Sequence, residues 1–274
     1  MLGGHPSRLG STQKMEFQIK ERSEYQYVDE GQGEVLLLLH GLFGALSNWE
    51  EVISTFKPRF RVIIPLLPIY EMPLTKAGVP GLVAFVAGFV KELGLDDPLT
   101  VLGNSLGGHV ALDYTLRFPS RVRRLVLTGS SGLFEDSMGG SFPKRGNYTF
   151  VQERVAYTFY DPTVATKELV DEVFSVTNSN SKCLRIISIA RSAQRHNLSK
   201  DLGGISVPTL LVWGLNDTIT PPVVAHEFNR LIANSELYFL DHCGHAPMME
   251  RPHEFNALLD RFLRRTEAEV LVSR

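Results

Sequence analysis

The chain has 274 residues, 43% hydrophobic and 21% charged, enough to bury a large core and unlike a disordered, collagen-like or membrane-embedded composition. A formal net charge of −2 creates no long-range field to gather nucleic acid or an anionic membrane surface. The two cysteines, Cys183 and Cys243, fit no metal-ligand spacing, so neither a disulfide framework nor a metal site is expected.

Met1 to Lys14, rich in Gly, Ser and Pro, holds no apolar stretch suited to a signal segment and reads as a flexible start, with Met15 a candidate functional beginning. No run approaches the roughly 18 apolar residues of a membrane span, and a cytoplasmic protein is expected. Phe17 to Lys20 and Tyr25 to Val28, joined by a polar turn, predict an antiparallel edge pair. Short, continuously apolar runs follow at Glu34 to His40, Arg61 to Pro65, Leu99 to Leu102, Arg124 to Leu127 and Thr209 to Trp213. Such runs are too short for free-standing helices and suit strands buried on both faces. Helical patterns lie between and after them, at Pro80 to Leu93, Leu106 to Phe118, Pro221 to Ile232 and Pro252 to Phe262. This alternation predicts a doubly wound α/β fold with a mostly parallel sheet. It breaks from about Gly132 to Leu202, where Phe134, Phe142, Tyr148, Phe150, Tyr157, Phe159, Tyr160 and Phe174 cluster. The division is therefore a core of residues 15–131 and 203–274, with a helical insertion over 132–202.

The chemistry gathers where strands end. Gly103-Asn104-Ser105-Leu106-Gly107 sits between a strand and a helix, the context in which a sharp turn exposes a serine as nucleophile. A helix beginning under Ser105 favours negative charge there. Two oxyanion donors are expected: the backbone N–H of Leu106, and that of Leu42 in His40-Gly41-Leu42-Phe43-Gly44, with Phe43 as the alternative. Of eight histidines, His245 is preferred as base over His242, because it follows Gly244 in a loop leaving the strand-like Glu236 to Leu240. Asp217, just past Thr209 to Val212, is the acid that would orient it, ahead of Asp241 and Asp136. These three supply nucleophile, base and acid, so no cofactor is predicted.

These motifs, with Trp213-Gly214-Leu215-Asn216-Asp217 and Gly244-His245-Ala246-Pro247, resemble the α/β-hydrolase superfamily over about Phe17 to Phe262, the insertion apart. The resemblance implies that the insertion is a lid over a pocket. A serine at the elbow sets the chain apart from haloalkane dehalogenases and epoxide hydrolases, which use a carboxylate there. Within the superfamily, Gly-Asn-Ser-x-Gly-Gly resembles the meta-cleavage product hydrolases, which split carbon–carbon bonds of dienoates. Those enzymes carry a tryptophan where this chain has Ala246, and a lid arginine of which Glu168 to Phe174 has none. The stretch Pro65 to Pro73 stands where many members of the superfamily it resembles carry an Asp-x-x-Gly-x-Gly-like turn. In the insertion, Lys182, Arg185, Arg191, Arg195 and Lys200 occur with no acidic residue among them, and Arg191 or Arg195 is a candidate for pairing with a substrate carboxylate. Phe43, Asn104 and Arg191 are the candidate substrate-binding residues. Three functions stay open: an esterase-like serine hydrolase acting on a small molecule, a carbon–carbon bond hydrolase, and a ligand sensor that keeps the fold without catalysis. Oligomeric state is left open.

Overall fold

The computed structural model describes residues 17–44, 46–134 and 146–265. Its strands are β1 Lys20–Arg22, β2 Tyr25–Glu30, β3 Val35–Leu39, β4 Arg61–Pro65, β5 Leu99–Asn104, β6 Val122–Thr128, β7 Thr209–Gly214 and β8 Ser235–Leu240. They form one 8-stranded sheet in the order β1-β2-β4-β3-β5-β6-β7-β8. Only β1 with β2 and β2 with β4 pair antiparallel; the rest is parallel. The helices are α1 Glu50–Phe56, α2 Val79–Glu92, α3 Leu106–Arg117, α4 Tyr148–Tyr157, α5 Lys167–Asn178, α6 Asn180–Arg195, α7 Pro222–Leu231, α8 Pro247–Glu250 and α9 Pro252–Arg264. None of the described helices is long and apolar enough to cross a membrane.

Successive strand residues point to opposite faces, so strands that are apolar throughout need cover on both. Leu36, Leu38, Val62, Ile64, Val126 and Val212 pack beneath α1 and α9. Their neighbours Leu37, Leu39, Ile63, Val101, Leu127 and Trp213 pack beneath α2, α3 and α7. The amino-terminal hairpin lies later in the chain than its apolar residues suggest. Lys20 pairs with Tyr27 and Arg22 with Tyr25, so β1 runs up to a tight turn in which Ser23 takes φ 52°. Pairing across a short turn, rather than apolar content, sets where this strand begins, and Phe17 instead packs against the α1/α9 side of the core.

Helices α4 to α6 are inserted between β6 and β7. Asn147 and Thr166 cap α4 and α5 by accepting hydrogen bonds from Phe150 N–H (2.9 Å) and Leu169 N–H (3.3 Å). The insertion has its own small core of Val151, Val155, Val170 and Val173, while Ile189 and Ala193 of α6 join the main core. Of the aromatics in this region, Phe134, Tyr157 and Tyr160 are exposed. Phe142, Asp136, Met15 and the segment Met1 to Lys14 lie outside the described residues.

Candidate active site

Because β3, β5, β7 and β8 are parallel, the loops that follow them emerge at one edge of the sheet. Strand β5 runs into Ser105, which adopts φ 54° and ψ −121°, a region that costs a non-glycine residue energy. Close packing enforces the small residues around it. A Cβ on Gly107 would lie 2.0 Å from Leu39 O, and one on Gly108 2.3 Å from Ser130 Oγ. Main-chain bonds hold the strained turn, with Ser105 N–H donating to Thr128 O and Ser131 N–H to Ser105 O, each at 3.2 Å. Leu106 opens α3, so its N–H is among the first-turn donors that have no partner within the helix.

Beyond β7, Asp217 is 3% exposed, and Oδ1 accepts hydrogen bonds from Ile219 N–H (2.8 Å) and Thr220 N–H (3.0 Å). Thr220 Oγ1 donates to Oδ2 at 2.9 Å. The buried His245 ring sits with Nδ1 at 2.9 and 3.1 Å from the two carboxylate oxygens. A carboxylate in that position makes Nδ1 the protonated nitrogen and leaves the neutral ring's lone pair on Nε2. Asp241 and His242, the alternatives, are exposed and pair with each other at 3.0 Å.

The histidine loop is tied on several sides. His245 N–H donates to Thr158 O at 2.9 Å, just past the end of α4. Asn104 Nδ2 donates to His245 O (3.1 Å) and Thr128 O (3.0 Å), joining the serine turn to the histidine loop. Glu250 accepts from Gly244 N–H at 2.8 Å with one oxygen and from Tyr160 N–H at 2.7 Å with the other. Burial pushes the Glu250 carboxyl above its ordinary pKa, although these N–H groups pull the other way. Sequence reasoning missed Thr220 and Glu250. The only trace of either is spacing, three residues after Asp217 and five after His245.

Ser105 and His245 line one cavity of about 380 Å³, shared with Leu42, Phe43, Asn104 and Leu106 from the core. The insertion contributes Phe150, Val155, Phe159, Ile186, Ile189 and Arg191 to it, but not Arg195. Asp217 stands behind His245. Another hollow, at the opposite edge of the sheet, is lined by Glu34, Arg61, Asp96, Asp97 and Arg123, and brings no serine or histidine with it. Among the described residues no three His, Cys, Asp or Glu side chains are grouped to hold a metal ion.

A strained serine at a strand-to-helix turn, followed along the chain by a buried aspartate and histidine in contact, accompanies a match to the Alpha/beta hydrolase family over residues 36–258. The chain belongs to the alpha/beta hydrolase family. One relative, 2-hydroxy-6-oxo-6-(2'-aminophenyl)hexa-2,4-dienoic acid hydrolase of Metapseudomonas resinovorans, is 28% identical over 263 residues, 89% of each chain. Monoacylglycerol lipase ABHD6 of Bos taurus is 26% identical over 252 residues, covering 83% of this chain and 74% of its own. A solved alpha/beta hydrolase from the metagenome of sediments of the Mar Chica lagoon, Morocco, is 39% identical with a TM-score of 0.75, covering 90% of this chain and 98% of that one. This family member thus resembles proteins named for two different kinds of bond cleavage.

Proposed function

We propose that the protein is a serine hydrolase that cleaves an ester or related carbonyl substrate of small to medium size through an acyl-enzyme on Ser105. The observation that carries this reading is the buried contact of His245 Nδ1 with Asp217 at 2.9 Å, behind a ring that shares its cavity with Ser105. His245 Nε2 takes the proton as Ser105 Oγ attacks the carbonyl carbon. The resulting oxyanion is met by main-chain N–H groups of Leu106 and of Leu42 or Phe43. Collapse returns the proton from His245 to the leaving alcohol, and a water activated by the same ring then releases the acid. Helices α4 to α6 act as the lid, and their apolar side chains hold the acyl or aryl part of the substrate. Ala246, in place of the tryptophan of meta-cleavage product hydrolases, favours the ester reading.

A second reading is hydrolysis of a carbon–carbon bond in a dienoate by the same three residues. Three observations favour it: the Asn104-Ser105 pair, the names of several relatives, and Arg191 on the cavity wall, with no carboxylate within ion-pair distance among the described residues. Arg191 would then hold the substrate carboxylate. Incubation with a fluorophosphonate, a short p-nitrophenyl ester and a dienoate separates the readings. Ester turnover abolished by Ser105→Ala supports the first and preferential dienoate cleavage the second. Silence toward all three probes overturns both and leaves a ligand sensor.

A further inference from the structure

The loop between β4 and α2 lies between the turn after β3 and helix α6. Toward the turn it makes two polar contacts. Leu67 N–H donates to His40 Nε2 at 3.0 Å, and Tyr70 Oη donates to Leu42 O at 3.1 Å. Because Nε2 accepts, the proton of His40 is on Nδ1, which donates to Gly41 O at 2.9 Å. Burial holds this ring below the ordinary histidine pKa, so it stays neutral. Gly44 N–H donates to the same Gly41 oxygen at 3.0 Å.

These bonds matter because a trans peptide is rigid and planar, with C=O and N–H pointing in opposite directions. Holding Gly41 O aims the N–H of Leu42, and holding Leu42 O aims the N–H of Phe43. Those are the two candidate oxyanion donors on this side of the cavity. The loop is fixed in turn by one stripe of α6. Lys182 Nζ lies 5.6 Å from the centre of the Tyr70 ring, and Arg185 Nε donates to Met72 O at 2.7 Å. Ser188 Oγ donates to Ala77 O at 2.8 Å, and Ser192 Oγ accepts from Val79 N–H at 3.1 Å. These four positions recur at three- or four-residue spacing, the period of one helix face. Ile186, Ile189 and Ala190 of the same helix line the cavity.

We propose that Tyr70 is a positioning residue of the oxyanion turn, which orients its peptides through Leu42 O and links them, through its own loop, to the cavity wall formed by α6. This rests on the serine-hydrolase reading. The Tyr70 hydroxyl remains a donor throughout the working range, since burial, with Glu172 and Glu71 adding to it, raises its pKa. Its part is indirect, so its loss costs less than the roughly 10²–10³ of removing an oxyanion donor itself.

The test compares wild type, Tyr70→Phe and Arg185→Gln with a p-nitrophenyl ester, an arylboronic acid that forms a tetrahedral adduct with the serine, and benzoate as a planar ground-state ligand. Tyr70→Phe is expected to lower kcat and boronate affinity together by about tenfold, with KM and benzoate affinity within about twofold of wild type. Arg185→Gln is expected to lower the same two quantities by about threefold. Melting temperatures identify any variant that simply unfolds, and Arg185→Gln then carries the test if Tyr70→Phe does not fold. Boronate affinity and kcat unchanged in the folded variants, or lost in equal measure with benzoate affinity, overturn the positioning role while leaving the hydrolase reading intact. A wild type that neither turns over ester nor binds boronate overturns the hydrolase reading and this proposal with it.

Discussion

The floor and the wall of the cavity are held by different forces. The floor, made of the loops after β3, β5, β7 and β8, is fixed by main-chain hydrogen bonds, a strained serine and glycines for which any side chain would collide. The wall, α4 to α6, rests on a small apolar cluster of Val151, Val155, Val170 and Val173 between α4 and α5, on Ile189 and Ala193 of α6 set in the main core, and on a few polar ties to the core. Hydrogen bonds and backbone strain specify a geometry closely, whereas apolar burial is non-directional and tolerates exchange of similar side chains. The floor can therefore fix its side chains closely, while the wall tolerates exchange of its apolar residues.

Breaking the floor should give the largest effects. Ser105→Ala is expected to lower ester turnover by about 10⁴-fold or more without loss of fold, measured as kcat beside a melting curve. Asp217→Asn should cost a comparable factor, about 10⁴, because an amide NH₂ facing Nδ1 favours the wrong tautomer of His245. If Asp217→Asn retains near-normal kcat, the buried contact is structural and the role assigned to the histidine is wrong.

The same contrast explains what the sequence made legible. Ser105 and its glycines could be found because a sharp strand-to-helix turn admits few residue types, and Asp217 and His245 because a strand end fixes their place. The wall could be recognised only as an interruption of the α/β alternation, since several arrangements bury the same valines and aromatics. Phe150 and Phe159 line the cavity while Phe134, Tyr157 and Tyr160 face solvent, and nothing local in the sequence separates them. Thr220, Glu250 and Tyr70 were invisible for a related reason. Each acts on a main-chain or carboxylate group brought near only by the fold, and each is otherwise an ordinary loop or helix residue.

Glu250 joins floor to wall, receiving Gly244 N–H from the histidine loop and Tyr160 N–H from the insertion. In Glu250→Gln one side-chain oxygen becomes an NH₂ that meets one of these N–H groups donor to donor, so one tie is lost. A fall in kcat of about tenfold is expected, well short of the loss at Ser105. Unchanged kcat would mean that the histidine loop holds its position without the wall.

Arg191 tests the wall alone. Arg191→Ala should leave neutral-ester turnover within about twofold and lower kcat/KM for a carboxylate-bearing ester by about tenfold. Equal effects on both substrates would place Arg191 among the solvated charges of α6.

The smallest effect concerns stability, at another joint between core and insertion. His109 of α3 stacks on His196, just past α6, with Nε2 and Nδ1 3.0 Å apart, and Asp113 lies 3.9 Å from the far nitrogen of His196. Burial, followed by the charge of His196, lowers the His109 pKa from 6.5 to about 3. The folded protein thus binds the proton less readily than the unfolded chain, so this contribution is intact above pH 6.5 and is lost as pH falls toward 3. The buried His40 shifts in the same direction, whereas Glu250, with its raised pKa, has the opposite sign and gains stability on acidification below its folded value. For His109 alone the folding constant falls about tenfold per pH unit, so one unit below 6.5 lowers the melting temperature by about 3–6 °C. His109→Gln should flatten that slope between pH 6.5 and 5 relative to wild type, read from melting curves across the range. An unchanged slope would show that the acid sensitivity does not arise at His109 and would separate it from the joint with α6.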